Sequence, residues 1–230
     1  MEKRDHHNPF GADETALSYD TWFEIPLGKA MDDLQKALIY RLARPQPGES
    51  ALDVGTGTGH YACDLASRGL RVVGYDSSEA MLRVARAKDS PVVWQRGQAE
   101  ALPFADDSFD LVLSVTTLEF VDDPARALAE MFRVTAPDGR LIVAVLNATS
   151  SWGKSYIREA LQKDTPFQHA HLYAPGEFVR ALSIHGNVHW NSSGFFTPSG
   201  RGVRFANLLE SIGQTFYRDH GALLVGRIDK

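Results

Sequence analysis

The sequence predicts an α/β protein built on a doubly wound, mostly parallel sheet. Two apolar runs, at 111–113 and 141–145, lack polar alternation, which is typical of strands covered on both faces. Such runs alternate along the chain with segments of helical periodicity. A glycine-rich stretch follows the first predicted strand and an acidic residue ends the second, the arrangement by which such folds bind an adenosine-type cofactor.

The predicted elements alternate regularly up to residue 147. The first helix covers residues 29–43 and ends before two prolines. Its apolar positions follow helical spacing: Met31, Leu34, Leu38, Ile39 and Leu42. Strands are predicted at 50–54, 71–75, 92–95, 109–115 and 140–146, and helices at 59–68, 78–87 and 124–135. Farther on the pattern loosens, and it predicts helices at 151–162, 175–183 and 203–213, a strand-like stretch at 186–196 and a last strand at 222–228.

Composition narrows the class of protein. The 230 residues, 43% of them apolar, suit one α/β domain with a helical cover, and no repeat or linker divides the chain. A net charge of -5 shows no basic excess, so we expect no nucleic-acid partner. Cys63 is the single cysteine, the N-terminus is polar, and no apolar run reaches membrane-spanning length. We therefore expect a cytoplasmic protein without a membrane partner; the sequence predicts no oligomeric state.

The glycine-rich stretch has a mechanical purpose, because residues without a Cβ let backbone N–H groups approach a ligand at a helix N-terminus. Asp76 follows about twenty residues later, where a carboxylate can accept hydrogen bonds from both hydroxyls of a ribose. His60 stands where a dinucleotide fingerprint has its third glycine, which favours a ligand without a pyrophosphate. Asp53 would repel phosphate but could orient a cationic or amino-acid-like group, directly or through loop amides and water.

Four segments, in order, resemble the motifs of the class I S-adenosylmethionine-dependent methyltransferases. They are 52–59 (LDVGTGTG), 76–82 (DSSEAML), 97–104 (GQAEALPF) and 107–112 (DSFDLV). The resemblance covers roughly residues 15 to 185 and is to the broad subgroup that includes ubiquinone-biosynthesis methyltransferases. One position departs from the family, which usually has Asp where Gln98 stands, although an amide oxygen can accept the same bond from the adenine amino group.

The resemblance implies a three-layer, Rossmann-like methyltransferase fold whose seven-stranded sheet ends in an antiparallel hairpin at its edge. It also implies one methyltransferase domain over 1–230, with 1–44 as an N-terminal lid and helical cover and 147–215 as variable insertions on the acceptor side. Together with the loop chemistry it predicts an S-adenosylmethionine site formed by Tyr19, Asp53, Gly55, Thr56, Gly57, Asp76, Ser77, Met81, Gln98, Ala99, Glu100, Val115 and Thr116.

Each of these residues also has a purely structural interpretation. The glycines could form an ordinary strand-to-helix turn, and Asp76 could be only a helix N-cap. Met81 could be helix core, while Ala99 and Glu100 could form a simple turn. Val115 and Thr116 end the fourth strand, where ligands bind in open α/β sheets, so we expect the methionine end of the cofactor there.

The N-terminal segment 18–23 places three aromatic residues before the sheet. One interpretation is a lid, with Tyr19 near the cofactor and Trp22 or Phe23 shielding it from water. The other is a satellite hydrophobic cluster that only holds the N-terminus down. The sequence leaves both open.

A general base would help if the acceptor atom is oxygen or an activated carbon, whereas a neutral amine needs little more than positioning. Candidates after the fourth and fifth strands are Glu119, His169, His171 and Tyr173, and we select His169 and His171 because an unperturbed imidazole has a pKa near 6.5. No Cys or carboxylate cluster accompanies the histidines, so we predict no metal site. His6 and His7 are expected to be tail residues.

The residues expected to build the acceptor pocket indicate an apolar or aromatic small molecule: Trp152, Tyr156, Phe167, His171, Tyr173, Phe195 and Phe196. Arg201 and Arg204 could pair with an acidic group of the acceptor or be solvated surface residues. We therefore predict a small-molecule methyltransferase that uses S-adenosylmethionine. Two alternatives remain: an S-adenosylmethionine-binding sensor or interaction protein without activity, and an NAD-dependent oxidoreductase.

Overall fold

A seven-stranded sheet lies at the centre of the computed structural model, which describes residues 9–163 and 165–230. The strands are β1 (Ser50–Val54), β2 (Arg71–Asp76), β3 (Val93–Arg96), β4 (Phe109–Val115), β5 (Thr135–Leu146), β6 (Val188–Ser193) and β7 (Leu223–Asp229). Their order in the sheet is β3-β2-β1-β4-β5-β7-β6. The first five strands run parallel, and β7 pairs antiparallel with both β5 and β6.

Eight α-helices accompany the strands in the described residues. They are α1 (Asp13–Tyr19), α2 (Pro26–Ala43), α3 (His60–Ser67), α4 (Glu79–Arg86), α5 (Pro124–Val134), α6 (Ser151–Ala160), α7 (Pro175–Ser183) and α8 (Ala206–Phe216). Proline occupies the first turn of α2, α5 and α7, where its missing N–H costs nothing. Side-chain oxygens of Ser78, Asp123 and Ser150 cap α4, α5 and α6.

The sheet is buried on both faces, as its apolar runs predict. Successive residues of β5 point to opposite sides, so Leu141 and Val143 pack in one hydrophobic cluster and Ile142 in the other. The first cluster includes Met131 of α5 and Phe178 of α7, and the second is completed by α2 and α3. The protein therefore has three layers, with helices on each side of the sheet.

The strand order reverses at β1, whose neighbours are β2 on one side and β4 on the other. A crevice opens at the carboxyl ends of the strands wherever such a reversal occurs, because the two connections leave toward opposite faces. The loops after β1, β2 and β4 meet at this crevice. The fold thus places the glycine-rich stretch and Asp76 at one edge of the sheet.

The predicted fold class is confirmed, with differences of detail. Strand β5 begins at Thr135 rather than at 140, because Thr135 already pairs with Phe109 before the register shifts. The predicted helix at 203–213 is a 3₁₀ turn, Val203–Phe205, followed by α8. Helix α1 was not predicted, since seven residues are too few to show a helical period. The last two strands are antiparallel but are joined through α8, and β6 rather than β7 forms the edge.

No helix among the residues described is long and apolar enough to cross a membrane. His6 and His7, expected to be tail residues, lie outside the described residues.

Candidate functional site

The glycine-rich loop between β1 and α3 adopts a conformation that requires glycine. Gly55, Gly57 and Gly59 have φ values of 75°, 54° and 82°, in the left-handed region. A Cβ on Gly55 would overlap the side chain of Thr117, whereas a Cβ on Gly57 would meet no atom within 4 Å. The backbone at Gly57 is therefore open to a ligand, while Gly55 allows the loop to pack closely against the end of β4.

Asp76, the last residue of β2, fastens this loop to the following helix. Its Oδ2 accepts a hydrogen bond from the Gly57 N–H at 2.8 Å, and its Oδ1 accepts one from the Ser78 N–H at 2.8 Å. Burial raises the pKa of the carboxyl, and hydrogen bonds from the backbone N–H groups of Ser78, Gly57 and Ser77 oppose that effect. Asp76 is thus held at the cavity wall by the main chain on both sides.

Asp53 lies behind the loop. Its carboxyl is buried and accepts a hydrogen bond from the Thr56 hydroxyl at 2.7 Å. Burial raises the pKa of Asp53 to about 7. Since Thr56 lines the cavity and Asp53 does not, the carboxyl acts on the cavity through the Thr56 hydroxyl.

The crevice is a cavity of about 1750 Å³ at the carboxyl ends of the parallel strands. Twelve of the thirteen predicted cofactor residues line it, with Asp53 as the exception: Tyr19, Gly55, Thr56, Gly57, Asp76, Ser77, Met81, Gln98, Ala99, Glu100, Val115 and Thr116. Segments far apart in sequence therefore meet around one space.

The loops after β3 and β4 form one end of the cavity. Glu100 Oε1 accepts a hydrogen bond from the Asp122 N–H at 3.0 Å, which ties the two loops together. A Cβ on Gly97 would overlap the Tyr75 hydroxyl, so the chain passes close to the end of the Tyr75 side chain there. Phe120 and Asp122 also line the cavity and were not predicted; their place after the fourth strand was the available signal.

The N-terminal segment covers the cavity and is bonded to the sheet side. Asp20 accepts a hydrogen bond from the Thr58 hydroxyl at 2.6 Å and pairs with Lys88 at 2.7 Å. The Phe23 ring stacks on His60, with centroids 3.9 Å apart, and His60 Nε2 lies 2.8 Å from Asp32 Oδ1. His60, which stands where a dinucleotide fingerprint has its third glycine, thus supports the N-terminal segment.

Tyr19 of that segment lines the cavity. Its hydroxyl is hydrogen-bonded to the Thr116 side chain, and burial together with the charges of Asp20 and Asp76 raises its pKa to about 12. Thr116 has a φ of 51°, an uncommon conformation for threonine that the contacts at the end of β4 maintain. Both Trp22 and Phe23 also line the cavity, as a lid would require.

Aromatic rings line the far end of the cavity. Tyr156 of α6 stacks on Phe167, with centroids 4.3 Å apart, and Trp22 meets Trp152 edge-on at 6.0 Å. The Trp152 indole N–H donates to the Phe196 carbonyl at 2.7 Å, which fixes the ring. Of the expected acceptor residues, Trp152, Tyr156 and Phe167 line the cavity, whereas His171, Tyr173, Phe195 and Phe196 do not.

The two candidate base histidines lie in different surroundings. His169 lines the cavity beside the aromatic rings. The His171 side chain is more than half exposed, and its Nε2 lies 2.6 Å from Glu177 Oε1. The structure therefore brings only His169 to the cavity. In the described part of the chain, no three His, Cys, Asp or Glu side chains form a group that could hold a metal ion.

Glu119, another candidate base, is buried behind the wall. Its Oε1 accepts a hydrogen bond from the Leu146 N–H at 2.6 Å, and its carbonyl accepts one from the His171 N–H at 2.8 Å. Burial raises the pKa of Glu119 to about 8. Its contacts join the ends of β4 and β5 to the loop that carries the histidines.

Comparison with known proteins places these features in a family. A family described as a methyltransferase domain matches residues 52–143, from β1 into β5. A demethylmenaquinone methyltransferase of Renibacterium salmoninarum is 38% identical over 144 residues, 63% of this chain and 60% of the relative. The chain thus spans about 60% of the length of the first such relatives it matches.

Two further matches extend over more of the chain. A protein of Methanocaldococcus jannaschii described as uncharacterized is 31% identical over 170 residues, 74% of this chain and 77% of that protein. The crystal structure of a SAM-dependent methyltransferase from Thermotoga maritima superposes with a TM-score of 0.70 and 25% identity. That superposition covers 95% of this chain and 97% of the other.

The loop geometry predicts different costs for alanine at two neighbouring glycines. We expect Gly57→Ala to lower the free energy of unfolding by about 1 kcal/mol, the cost of a left-handed alanine. Gly55→Ala should cost about 3 kcal/mol, because the overlap with Thr117 adds to the same backbone strain. Urea unfolding of both variants measures the difference, and equal losses would contradict the packing described for Gly55.

The buried carboxyl of Glu119 predicts a pH dependence of stability. Its folded-state pKa of about 8 lies above the ordinary 4.5, so the folded protein retains a proton that the unfolded chain releases. This contribution is full below pH 4.5 and is lost as the pH rises through 8. Glu119→Gln keeps an acceptor for the Leu146 N–H and removes the titration.

The stability of Glu119→Gln relative to the parent should therefore increase with pH, by up to about 1.4 kcal/mol per unit. Urea unfolding of both proteins across this pH range measures the difference. A difference that stays constant with pH would show that Glu119 does not titrate in this way.

Proposed function

Because the chain belongs to the class I S-adenosylmethionine-dependent methyltransferases, we propose that it transfers the methyl group of this cofactor to a small-molecule acceptor. The observation that carries the proposal is Asp76, a half-buried carboxylate that lines the cavity beside the bare backbone of Gly57. The family and the geometry support the same cofactor. The residues at the opposite end of the cavity indicate the class of acceptor.

The residues around Asp76 fit a ribose. The Asp76 carboxylate accepts hydrogen bonds from the backbone N–H groups of Gly57, Ser78 and Ser77, and a carboxylate has about four acceptor sites, so capacity remains for a ribose hydroxyl. Gly57 presents no side chain toward the space that the ribose would take. We assign the ribose to Asp76, with Ser77 beside it and Gly55 and Gly57 as the loop that lets it approach.

The two ends of the cofactor follow from this placement. We assign the adenine to the wall formed by Met81, Gln98 and Ala99, with Glu100 holding the neighbouring loop through its bond to Asp122. The methionine end is assigned to Thr56, Val115 and Thr116, where the Asp53 carboxyl acts through the Thr56 hydroxyl. Tyr19, in the segment 18–23, would cover the cofactor between these two ends.

When bound, the cofactor supplies a methyl group on a positively charged sulfur, which is already electrophilic and leaves a neutral thioether. The protein then has to align the acceptor and exclude water. We assign water exclusion to the segment 18–23, whose contacts with Thr58 and His60 hold it over the cavity. Its aromatic faces would also favour a cation by about 0.5–2 kcal/mol.

The acceptor is placed among Trp22, Trp152, Tyr156 and Phe167, whose rings suit an apolar or aromatic small molecule. The name of the Renibacterium relative, demethylmenaquinone methyltransferase, supports an acceptor with such a ring. His169 is assigned as the general base, because it lines this end of the cavity and a neutral imidazole nitrogen can accept a proton. His171 does not line the cavity, so we assign it no part in the reaction.

The same arrangement supports one domain over 1–230, in which 1–44 forms the lid and helical cover. The segment 147–215 would form the acceptor side, since α6 and the Pro166–His169 turn carry its aromatic wall. We further propose a cytoplasmic location and no nucleic-acid partner, supported by the single cysteine and by the absence of a basic excess in the composition.

The alternatives left by the sequence gain no support from the site. An NAD-dependent oxidoreductase would need the third glycine position, where His60 instead stacks on Phe23. A protein that only binds the cofactor would not need the aromatic end of the cavity, which is continuous with the wall assigned to the cofactor.

Removal of the Asp76 carboxylate should weaken cofactor binding. Loss of its hydrogen bonds to the ribose predicts that Asp76→Ala binds S-adenosylhomocysteine about a hundredfold more weakly in isothermal titration. Asp76→Asn, which keeps one acceptor oxygen, should lie between this variant and the parent. Asp89→Ala, an exposed carboxyl outside the cavity, is the control, and equal affinity in all four proteins would contradict the assignment.

A transfer assay tests the reaction and the base together. Incubation with methyl-labelled cofactor and a fractionated metabolite extract should label a small molecule, which also identifies the acceptor. We expect His169→Gln to lower the turnover about a hundredfold while leaving S-adenosylhomocysteine binding unchanged. His171→Gln should behave as the parent, because its side chain lies outside the cavity.

Labelling of no small molecule would contradict the proposed reaction. Full turnover in His169→Gln would contradict the assigned base alone.

A further inference from the structure

Helix α8 exposes a continuous apolar stripe. Phe205, just before the helix, is 65% exposed, Leu208 59%, Ile212 41% and Phe216 75%. Steps of three, four and four residues bring these side chains onto one narrow face. Large apolar side chains rarely lie together on a solvent-exposed surface unless they bind a partner.

The opposite face of α8 is fixed to the protein, so the stripe is not the result of a loose helix. Glu210 Oε2 accepts a hydrogen bond from the Gly194 N–H at 3.0 Å. Gly213 packs so closely on the Phe195 ring that a Cβ would overlap it. Leu209 belongs to the hydrophobic cluster around Trp152. The stripe therefore cannot turn inward.

Two exposed arginines, Arg201 and Arg204, lie just before the stripe. The acidic residue of α8 is Glu210, which is buried. The other solvent-facing residues of α8 are small and uncharged: Asn207, Ser211 and Thr215. At the far end Arg218 is followed by the exposed Asp219, and its guanidinium lies over the Trp190 ring. The surface is thus an apolar stripe with a pair of cations at its N-terminal end.

We propose that this stripe docks on an anionic lipid surface. Apolar side chains on one face of a helix enter the boundary between lipid headgroups and acyl chains, and flanking arginines pair with anionic headgroups. A second copy of the chain fits less well, because the acidic residue on α8 of that copy, Glu210, is buried and offers the arginines no partner. The charge pattern therefore selects the lipid surface over self-association.

This association lies on a membrane and does not span it, in agreement with the lengths of the described helices. It differs from the sequence-based expectation of no membrane partner, which considered only spanning segments. On its inner face α8 packs through Leu209 in the hydrophobic cluster around Trp152, whose ring lines the aromatic end of the cavity. A protein docked through the stripe would therefore hold this end of the cavity near the lipid. The inference is independent of the proposed methyl transfer.

Flotation of the full chain with lipid vesicles tests the proposal. One set of vesicles contains phosphatidylcholine alone, and the other contains phosphatidylcholine with phosphatidylglycerol. We expect binding to the second set, weakened by salt, and about tenfold weaker in the double variant Leu208→Ser with Phe216→Ser. Ile184→Ser is the matched control, since Ile184 is 78% exposed at the end of α7, away from the stripe.

Thermal unfolding followed by circular dichroism checks that each variant is folded, as expected for substitutions of exposed side chains. Absence of binding to both vesicle types overturns the proposal, as does equal binding to both. Equal loss in Ile184→Ser and in the double variant also overturns it. If light scattering shows a dimer that the double variant abolishes, the stripe is an interface between two copies instead.

Discussion

The site depends on the hydrogen bonds that the Asp76 carboxylate accepts. One oxygen accepts the Gly57 N–H and the other the Ser78 N–H, so a single side chain sets the glycine loop and the start of α4 relative to β2. The loop is also anchored where Gly55 and Thr56 donate to the Tyr75 carbonyl at 2.8 and 3.1 Å. These hydrogen bonds come from the protein itself, so they preorganise the wall of the cavity for the cofactor.

The sequence predicted the parallel half of the fold well, because strands buried on both faces are uninterrupted apolar runs that end at turn residues. It was less accurate where tertiary contacts decide. Strand β5 extends back to Thr135 only because Phe109 lies opposite it, and α1 is too short to be detected by periodicity. The stripe on α8 was missed for another reason. Its apolar residues have helical spacing, and only the packing of Gly213 on Phe195 shows which face is left in solvent.

The candidate site was predictable where function requires a fixed motif and less so elsewhere. Twelve predicted cofactor residues line one cavity, because the loops that carry them follow adjacent parallel strands. Asp53 comes from the same motif but points behind the loop, to Thr56. His169 and His171 are two residues apart, yet only His169 lines the cavity, because Glu177 of α7 pairs with His171 on the outside. Such choices depend on neighbours that are distant in sequence.

We propose that the cavity beside Asp76 accepts a nucleoside with a sulfur-linked amino acid and not a dinucleotide. Isothermal titration of the unaltered protein with S-adenosylhomocysteine, and separately with NAD⁺, distinguishes the two ligands. We predict saturable one-to-one binding of S-adenosylhomocysteine and no heat of binding from NAD⁺. Tight binding of NAD⁺ together with no binding of S-adenosylhomocysteine would contradict the account.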